Sequence, residues 1–148
     1  MSPTPDELKN PVIGFLIYLG CLVLLMSFQS FSKLYLTKIK RRNSKGKKVS
    51  FIDTKYYNKD DVLALAGDRG FGNAHEQAIF FIPLYWLNAL LVDDARGSLA
   101  ILAAVYGFTR VVYPFLFLSK KFSLVFVSTV PGYIVLIYLL QGLVKFAL

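Results

Sequence analysis

The chain has 148 residues, an apolar share of 55%, a mean hydropathy of +0.52 and a formal net charge of +8. A soluble core in so short a chain has no use for this much Phe, Tyr, Leu and Val, so the composition excludes an ordinary soluble domain and points to a bilayer. The single cysteine, Cys21, excludes an intrachain disulfide, and the single histidine, His75, excludes a His-based metal site.

The N-terminal stretch Met1 to Asn10 is polar and carries Asp6 and Glu7. It lacks the basic n-region of a secretory signal, so the first apolar run is expected to be retained as a membrane helix. That run, about residues 11–36, opens on Pro11, which suits the first position of a helix. Val12 to Phe28 contains no charge, and Cys21 reads as a small buried residue within it.

A basic loop follows, residues 37–60. Seven cations lie between Lys38 and Lys48 and nearly account for the whole charge excess. Directly after an apolar span, such a run reads as a positive-inside loop facing anionic headgroups rather than a nucleic-acid patch, and no nucleic-acid partner is expected. It shows no apolar periodicity and is expected to be flexible between Arg41 and Lys48.

The second span is the least clean. Gly67-Asp68-Arg69-Gly70-Phe71-Gly72 interrupts it, and the apolar part is taken as about residues 73–92. Asp93 to Gly97 is a short turn. The third span, about 98–118, is broken only by Arg110. Ser119-Lys120-Lys121 turns the chain into the fourth, about 123–145. Pro83, Pro114 and Pro131 are expected to kink their helices. With four spans, both basic loops fall on one side and the N-terminus and Asp93-Asp94 on the other, which sets the basic loops on the cytosolic-equivalent side. The expected fold is an all-α membrane protein, a four-transmembrane-helix bundle forming a single domain over 1–148.

Polar residues inside these spans are the functional candidates, because a charge in hydrocarbon is costly and marks a site by default. Arg69, Asn73 and Glu76 share one face of the second helix. Tyr106, Arg110 and Tyr113 recur at helical spacing on the third. From the helical rise, Arg110 lies ~18 Å and Glu76 ~25 Å from the turn joining the two helices. The difference is within the reach of an Arg side chain, so a Glu76–Arg110 pair is expected. That pair alone is explained by a structural role. The remaining groups suit a small zwitterionic or polyanionic ligand, with Arg on carboxylates, Glu76 on an ammonium and Asn73 on a peptide group.

The stretch Asp68-Arg69-Gly70-Phe71-Gly72-Asn73-Ala74-His75-Glu76-Gln77, followed by Phe81, Leu84, Trp86, Ala89, Leu90 and Val92-Asp93, resembles the second helix of the MAPEG proteins, the membrane-associated proteins in eicosanoid and glutathione metabolism. Tyr106-Gly107-Phe108-Thr109-Arg110-Val111-Val112-Tyr113-Pro114 resembles their third helix. The resemblance implies a homotrimer in which glutathione, as cosubstrate, binds between subunits near the cytosolic side. It assigns Arg69, Asn73, Glu76, Arg110, Tyr113 and Tyr106 to glutathione contacts.

Three departures bear on activity. Eicosanoid-forming members carry a further Tyr one turn beyond the Tyr113 position, where this chain has Phe117. Their thiol-activating Arg near the end of the third helix is replaced by Lys120 and Lys121, which lack the guanidinium fork. The Tyr that often follows the Glu is Gln77. No catalytic residue is assigned. Two readings stay open: a glutathione-dependent transferase or peroxidase acting on a lipophilic small molecule in an endoplasmic-reticulum or organellar membrane, and a catalytically reduced subunit or scaffold of a heteromeric membrane complex.

Overall fold

The computed structural model describes residues 3–44, 49–56 and 60–148, the Phe122 side chain excepted, and among them finds helices and turns but no strand. Five α-helices follow in order: α1 (Pro5–Asn43), α2 (Phe51–Tyr56), α3 (Val62–Leu91), α4 (Arg96–Leu118) and α5 (Phe122–Ala147), with a 3-10 turn at Asp93–Ala95. Four of these helices are long, as expected, and α2 adds a six-residue helix within the basic loop. Part of that loop, residues 45–48 and 57–59, lies outside the described residues.

Local chemistry sets the helix ends. The Thr4 hydroxyl accepts from the Glu7 backbone N–H, and the Glu7 carboxylate accepts from the Thr4 N–H. This capping box starts α1 six residues before Pro11, which therefore lies inside the helix instead of at its head. Lys40, Arg41 and Arg42 occupy the last turn, where cations favour the negative end of the helix dipole. The Asp61 carboxylate caps α3 by accepting from the N–H groups of Leu63 and Ala64.

From that cap α3 runs unbroken through the Gly67–Gly72 segment, so the helix begins eleven residues before the expected 73. Packing explains the continuity. Gly67 lies against Gln29 and Ser32 of α1, and Gly70 lies against Pro114 of α4, so the absent side chains let three helices close up. Three helical stretches are long and apolar enough to cross a membrane: α1, the Asp93–Leu118 segment containing α4, and α5. The second of these begins at the acidic turn, and α3 is not among them, its apolar run being broken by polar residues such as Asp68, Arg69 and Glu76.

The long helices alternate in direction. Tyr85 of α3 donates to the Pro11 carbonyl at 2.6 Å, and Gln29 reaches Asp68 at 2.7 Å, so α1 and α3 are antiparallel. Cys21 touches Gly107, and Phe28 packs on Phe115 at 5.2 Å, so α1 and α4 run parallel. Asn88 donates to its own helix at Leu84 and across to the Leu139 carbonyl of α5, both at 2.8 Å. The core between α1, α3 and α4 is aromatic: Phe81 stacks on Tyr106 at 4.1 Å and meets Tyr18 at 4.6 Å. Gly107 makes this approach possible, since a Cβ there would lie 2.8 Å from the Cys21 sulfur.

Ion pairs mark the two ends. At one, Arg96 holds Asp93 at 2.7 Å and Glu7 at 3.6 Å, and its guanidinium donates to the Ala89 carbonyl at 2.9 Å. At the other, Lys33 pairs with Asp68 at 2.6 Å and donates to the Lys55 carbonyl, tying α2 to α1. Large apolar side chains such as Leu16, Phe31, Ile101, Phe108 and Ile134 point outward. An outward-facing apolar shell around satisfied helical backbone is the pattern of a protein whose solvent is lipid.

Candidate functional site

The basic end of α3 and the C-terminal half of α4 enclose a half-open groove of about 340 Å³, lined by Asp68, Arg69, Gly72, Asn73, Glu76 and Tyr113. Helix geometry places them there. Residues 69, 73 and 76 fall one turn apart on a single face, and Gly72 leaves the floor open. Arg69 and Glu76 are exposed on this flank, while Asn73 and Tyr113 are half-buried.

Four of the six sequence candidates therefore come together: Arg69, Asn73, Glu76 and Tyr113. Tyr106 and Arg110 do not line the groove. Both are buried behind it, Arg110 being 1% exposed. The Glu76–Arg110 pair expected from the depth of the two residues does not form: among the described residues Glu76 makes no ion pair. Arg110 instead donates from Nη1 to the Gln77 side-chain oxygen at 2.8 Å and from Nε to the Thr109 hydroxyl at 3.3 Å. Its guanidinium lies 5.0 Å from the centre of the Tyr106 ring.

The physical reason is azimuth. Depth along the axes was compatible with the pair, but successive helical residues differ by about 100° in direction. Glu76 points outward, and Gln77, its neighbour, points at α4. On α4, Arg110 and Tyr113 are likewise separated in direction, so Tyr113 reaches the groove while Arg110 reaches the interior.

Gln77 is the residue that sequence reasoning missed. In sequence it stands out only as a departure from a tyrosine. In the structure it joins the two halves of the site. Its oxygen accepts from Arg110 and from the Tyr106 hydroxyl at 3.3 Å, and its nitrogen donates to the Asn73 side-chain oxygen at 3.0 Å. The available signal was its position four residues after Asn73, the spacing at which side chains on a helix meet.

Arg110 also depends on α5. A Cβ at Gly132 would overlap the Arg110 Nη2 and come within 2.9 Å of Cζ. Glycine at 132 is therefore the seat for the guanidinium, and Nη2, buried against it, has no hydrogen-bond partner among the described residues.

Along the same two helices the groove adjoins an apolar hollow of about 310 Å³, lined by Val62, Leu65, Phe117, Lys120, Lys121 and Val125. Leu65 lies one turn before Arg69, and Phe117 one turn after Tyr113, with the Tyr113 and Phe117 rings stacked at 6.2 Å. The turn at its rim holds Lys120 in the left-handed backbone region, with φ 56°. A larger hollow of about 500 Å³ lies at the acidic end, between α3 and α5. Its Asn88 is already committed to the Leu84 and Leu139 carbonyls, and Lys145 is the one cation among its lining residues. Asp93, Asp94, Gln141 and Tyr138 also line that hollow, but its cation is an ammonium, whereas the groove at the basic end sets a guanidinium, that of Arg69, beside an amide, an acid and a phenol.

No curated protein and no solved structure matches this chain. The model of the MAPEG family matches it over residues 13–144, nearly the whole length and inclusive of the six residues that line the groove. The chain is an integral membrane protein, and it belongs to the MAPEG family.

Proposed function

We propose that this protein binds glutathione in the α3–α4 groove and acts as a glutathione-dependent transferase or peroxidase on a lipophilic electrophile. The observation that carries the reading is the lining of that groove. Arg69 supplies a forked donor for a carboxylate, Glu76 an acceptor for an ammonium, Asn73 an amide for a peptide group and Tyr113 a hydroxyl. Glutathione has two carboxylates, one ammonium and two amides, so each lining group meets a counterpart.

The groove is open on the outside of a single chain. This suits a site closed by a second copy, in a homotrimer with the basic ends facing the cytosolic-equivalent side of an endoplasmic-reticulum or organellar membrane. All four long helices would then cross the bilayer within one domain, α3 shielding its polar residues against its neighbours. The apolar hollow beside the groove is the natural place for the lipophilic partner. In conjugation the thiolate sulfur bonds to the electrophilic carbon, and the displaced or opened group takes a proton. In peroxide reduction two glutathiones give one disulfide while the hydroperoxide becomes alcohol and water. Cations lower a thiol pKa. Arg69 in the groove and Lys120 and Lys121 at the rim are the groups placed to do so, Arg110 being engaged by Gln77.

A second reading is favoured by one observation. Phe117 stands one turn beyond Tyr113 and offers only a ring, so the groove lacks a hydroxyl where the thiol would approach the hollow. On that reading the chain is a catalytically reduced subunit of a larger membrane complex. Calorimetric titration of the detergent-purified protein with glutathione tests both. Binding that is lost in Arg69→Ala, together with the ultraviolet absorbance of a thiolate, supports the enzyme. Binding without that absorbance supports the reduced subunit, and no binding to wild type removes the glutathione reading.

A further inference from the structure

We infer that Gln77 is a positioning residue that sets the hydrogen-bonding polarity of the groove, so that Asn73 offers donors to the ligand and the atom it holds is an acceptor, a carbonyl or carboxylate oxygen. The identity of the ligand rests on the glutathione reading; the polarity does not.

The polarity is set from Arg110 outward. A guanidinium has donors and no acceptor. The atom of Gln77 that lies 2.8 Å from Arg110 Nη1 is therefore its oxygen, and the Tyr106 hydroxyl at 3.3 Å shares it. The nitrogen of Gln77 must then be the end directed at Asn73, 3.0 Å away. That nitrogen donates and cannot accept. Asn73 must answer with its oxygen, and its NH₂ is left to the groove, where it has no partner among the described residues. Two amides thus carry the donor-only character of a buried arginine to an exposed surface. The arginine cannot turn away, because the Gly132 seat, the Thr109 hydroxyl and the Tyr106 ring enclose it. Donors from Arg69 and Asn73 and an acceptor from Glu76 follow one another along α3, so the groove reads a ligand by the order of its polar groups.

Gln77→Glu inverts this order with almost no change of shape. One carboxylate oxygen keeps the bond to Arg110, now as an ion pair. The other faces Asn73 with a lone pair, so Asn73 rotates to donate inward and turns its own oxygen to the groove. Two measurements on the detergent-purified protein decide the matter. The first needs no ligand: solvent exchange of the Asn73 side-chain NH₂, followed by NMR, is expected to be at least tenfold slower in Gln77→Glu than in wild type. The second is glutathione affinity, expected to fall tenfold or more while the thermal midpoint stays at or above wild type. Unchanged Asn73 exchange, or undiminished glutathione affinity, in folded Gln77→Glu overturns the inference. If wild type binds no glutathione, the functional reading fails and the exchange comparison alone decides. If Gln77→Glu does not fold, the Gln77 NH₂ is followed instead: its protection is expected to persist in Asn73→Asp, which still accepts, and to be lost in Asn73→Leu. Loss in Asn73→Asp overturns the inference.

Discussion

Gly132→Ala puts the seat of Arg110 to the test. The added methyl would occupy the space of the guanidinium Nη2 and lie 2.9 Å from Cζ and 3.3 Å from the Thr109 hydroxyl. Arg110 has nowhere to withdraw without releasing Gln77. Overpacking a filled interior costs about 1–3 kcal/mol. Breaking a hydrogen bond to a charged group costs about 1.5–3 kcal/mol. The two overlap, because moving the guanidinium relieves the clash as it breaks the bond, so the expected loss is about 2–3 kcal/mol. Reversible unfolding in mixed micelles reads this directly. Gly20→Ala is the control, since a Cβ at 20 meets nothing within 4 Å; it is expected to be neutral or to gain up to about 1 kcal/mol from helix propensity. In an Arg110→Met background the cost of Gly132→Ala should fall below about 0.5 kcal/mol, leaving a coupling energy close to the single-mutant loss. Equal cost in both backgrounds, or no cost in wild type, would refute the seat.

Three other outcomes follow from the packing. Tyr85→Phe removes the buried 2.6 Å bond to the Pro11 carbonyl and should cost about 1 kcal/mol in the same unfolding assay. Arg96→Lys loses the fork that grips the Ala89 carbonyl, Asp93 and Glu7 together, and limited proteolysis should cut faster between α3 and α4. Glu7 lies in the polar first turn, ahead of the apolar run. Its carboxyl is held below the usual range first by the Thr4 backbone N–H, then by the Thr4 hydroxyl, with a smaller contribution from Arg96. A depressed folded pKa means stability present above the unfolded value and lost as pH falls through the folded one. An NMR pH titration should therefore place the Glu7 midpoint below that of free glutamate and show the first turn of α1 fraying on the acid side; Thr4→Ala should return the midpoint towards the free value.

The spans of α1, α4 and α5 were legible because uninterrupted apolar runs between polar turns leave few alternatives in lipid. The start of α3 was not. Gly67, Gly70 and Gly72 read as a break on propensity, yet Gly67 and Gly70 are contact points with α1 and α4, and the partners that make glycine useful there lie 35 or more residues away in sequence. Helical spacing correctly grouped Arg69, Asn73 and Glu76, since that grouping is local to one helix. The partner of Arg110 was not legible, because it depends on the rotation of α3 against α4. A rotation of one residue exchanges Glu76 for Gln77, and the seat at Gly132 on a third helix fixes which way the guanidinium turns.

A structure determined with glutathione present is the decisive check on the groove. The tripeptide is expected in the α3–α4 groove, with Arg69, Asn73, Glu76 and Tyr113 each placing a polar atom within about 3.5 Å of it and the Asn73 nitrogen facing a ligand oxygen. Glutathione seated in the hollow at the acidic end, or an empty groove at saturating concentration, would contradict it.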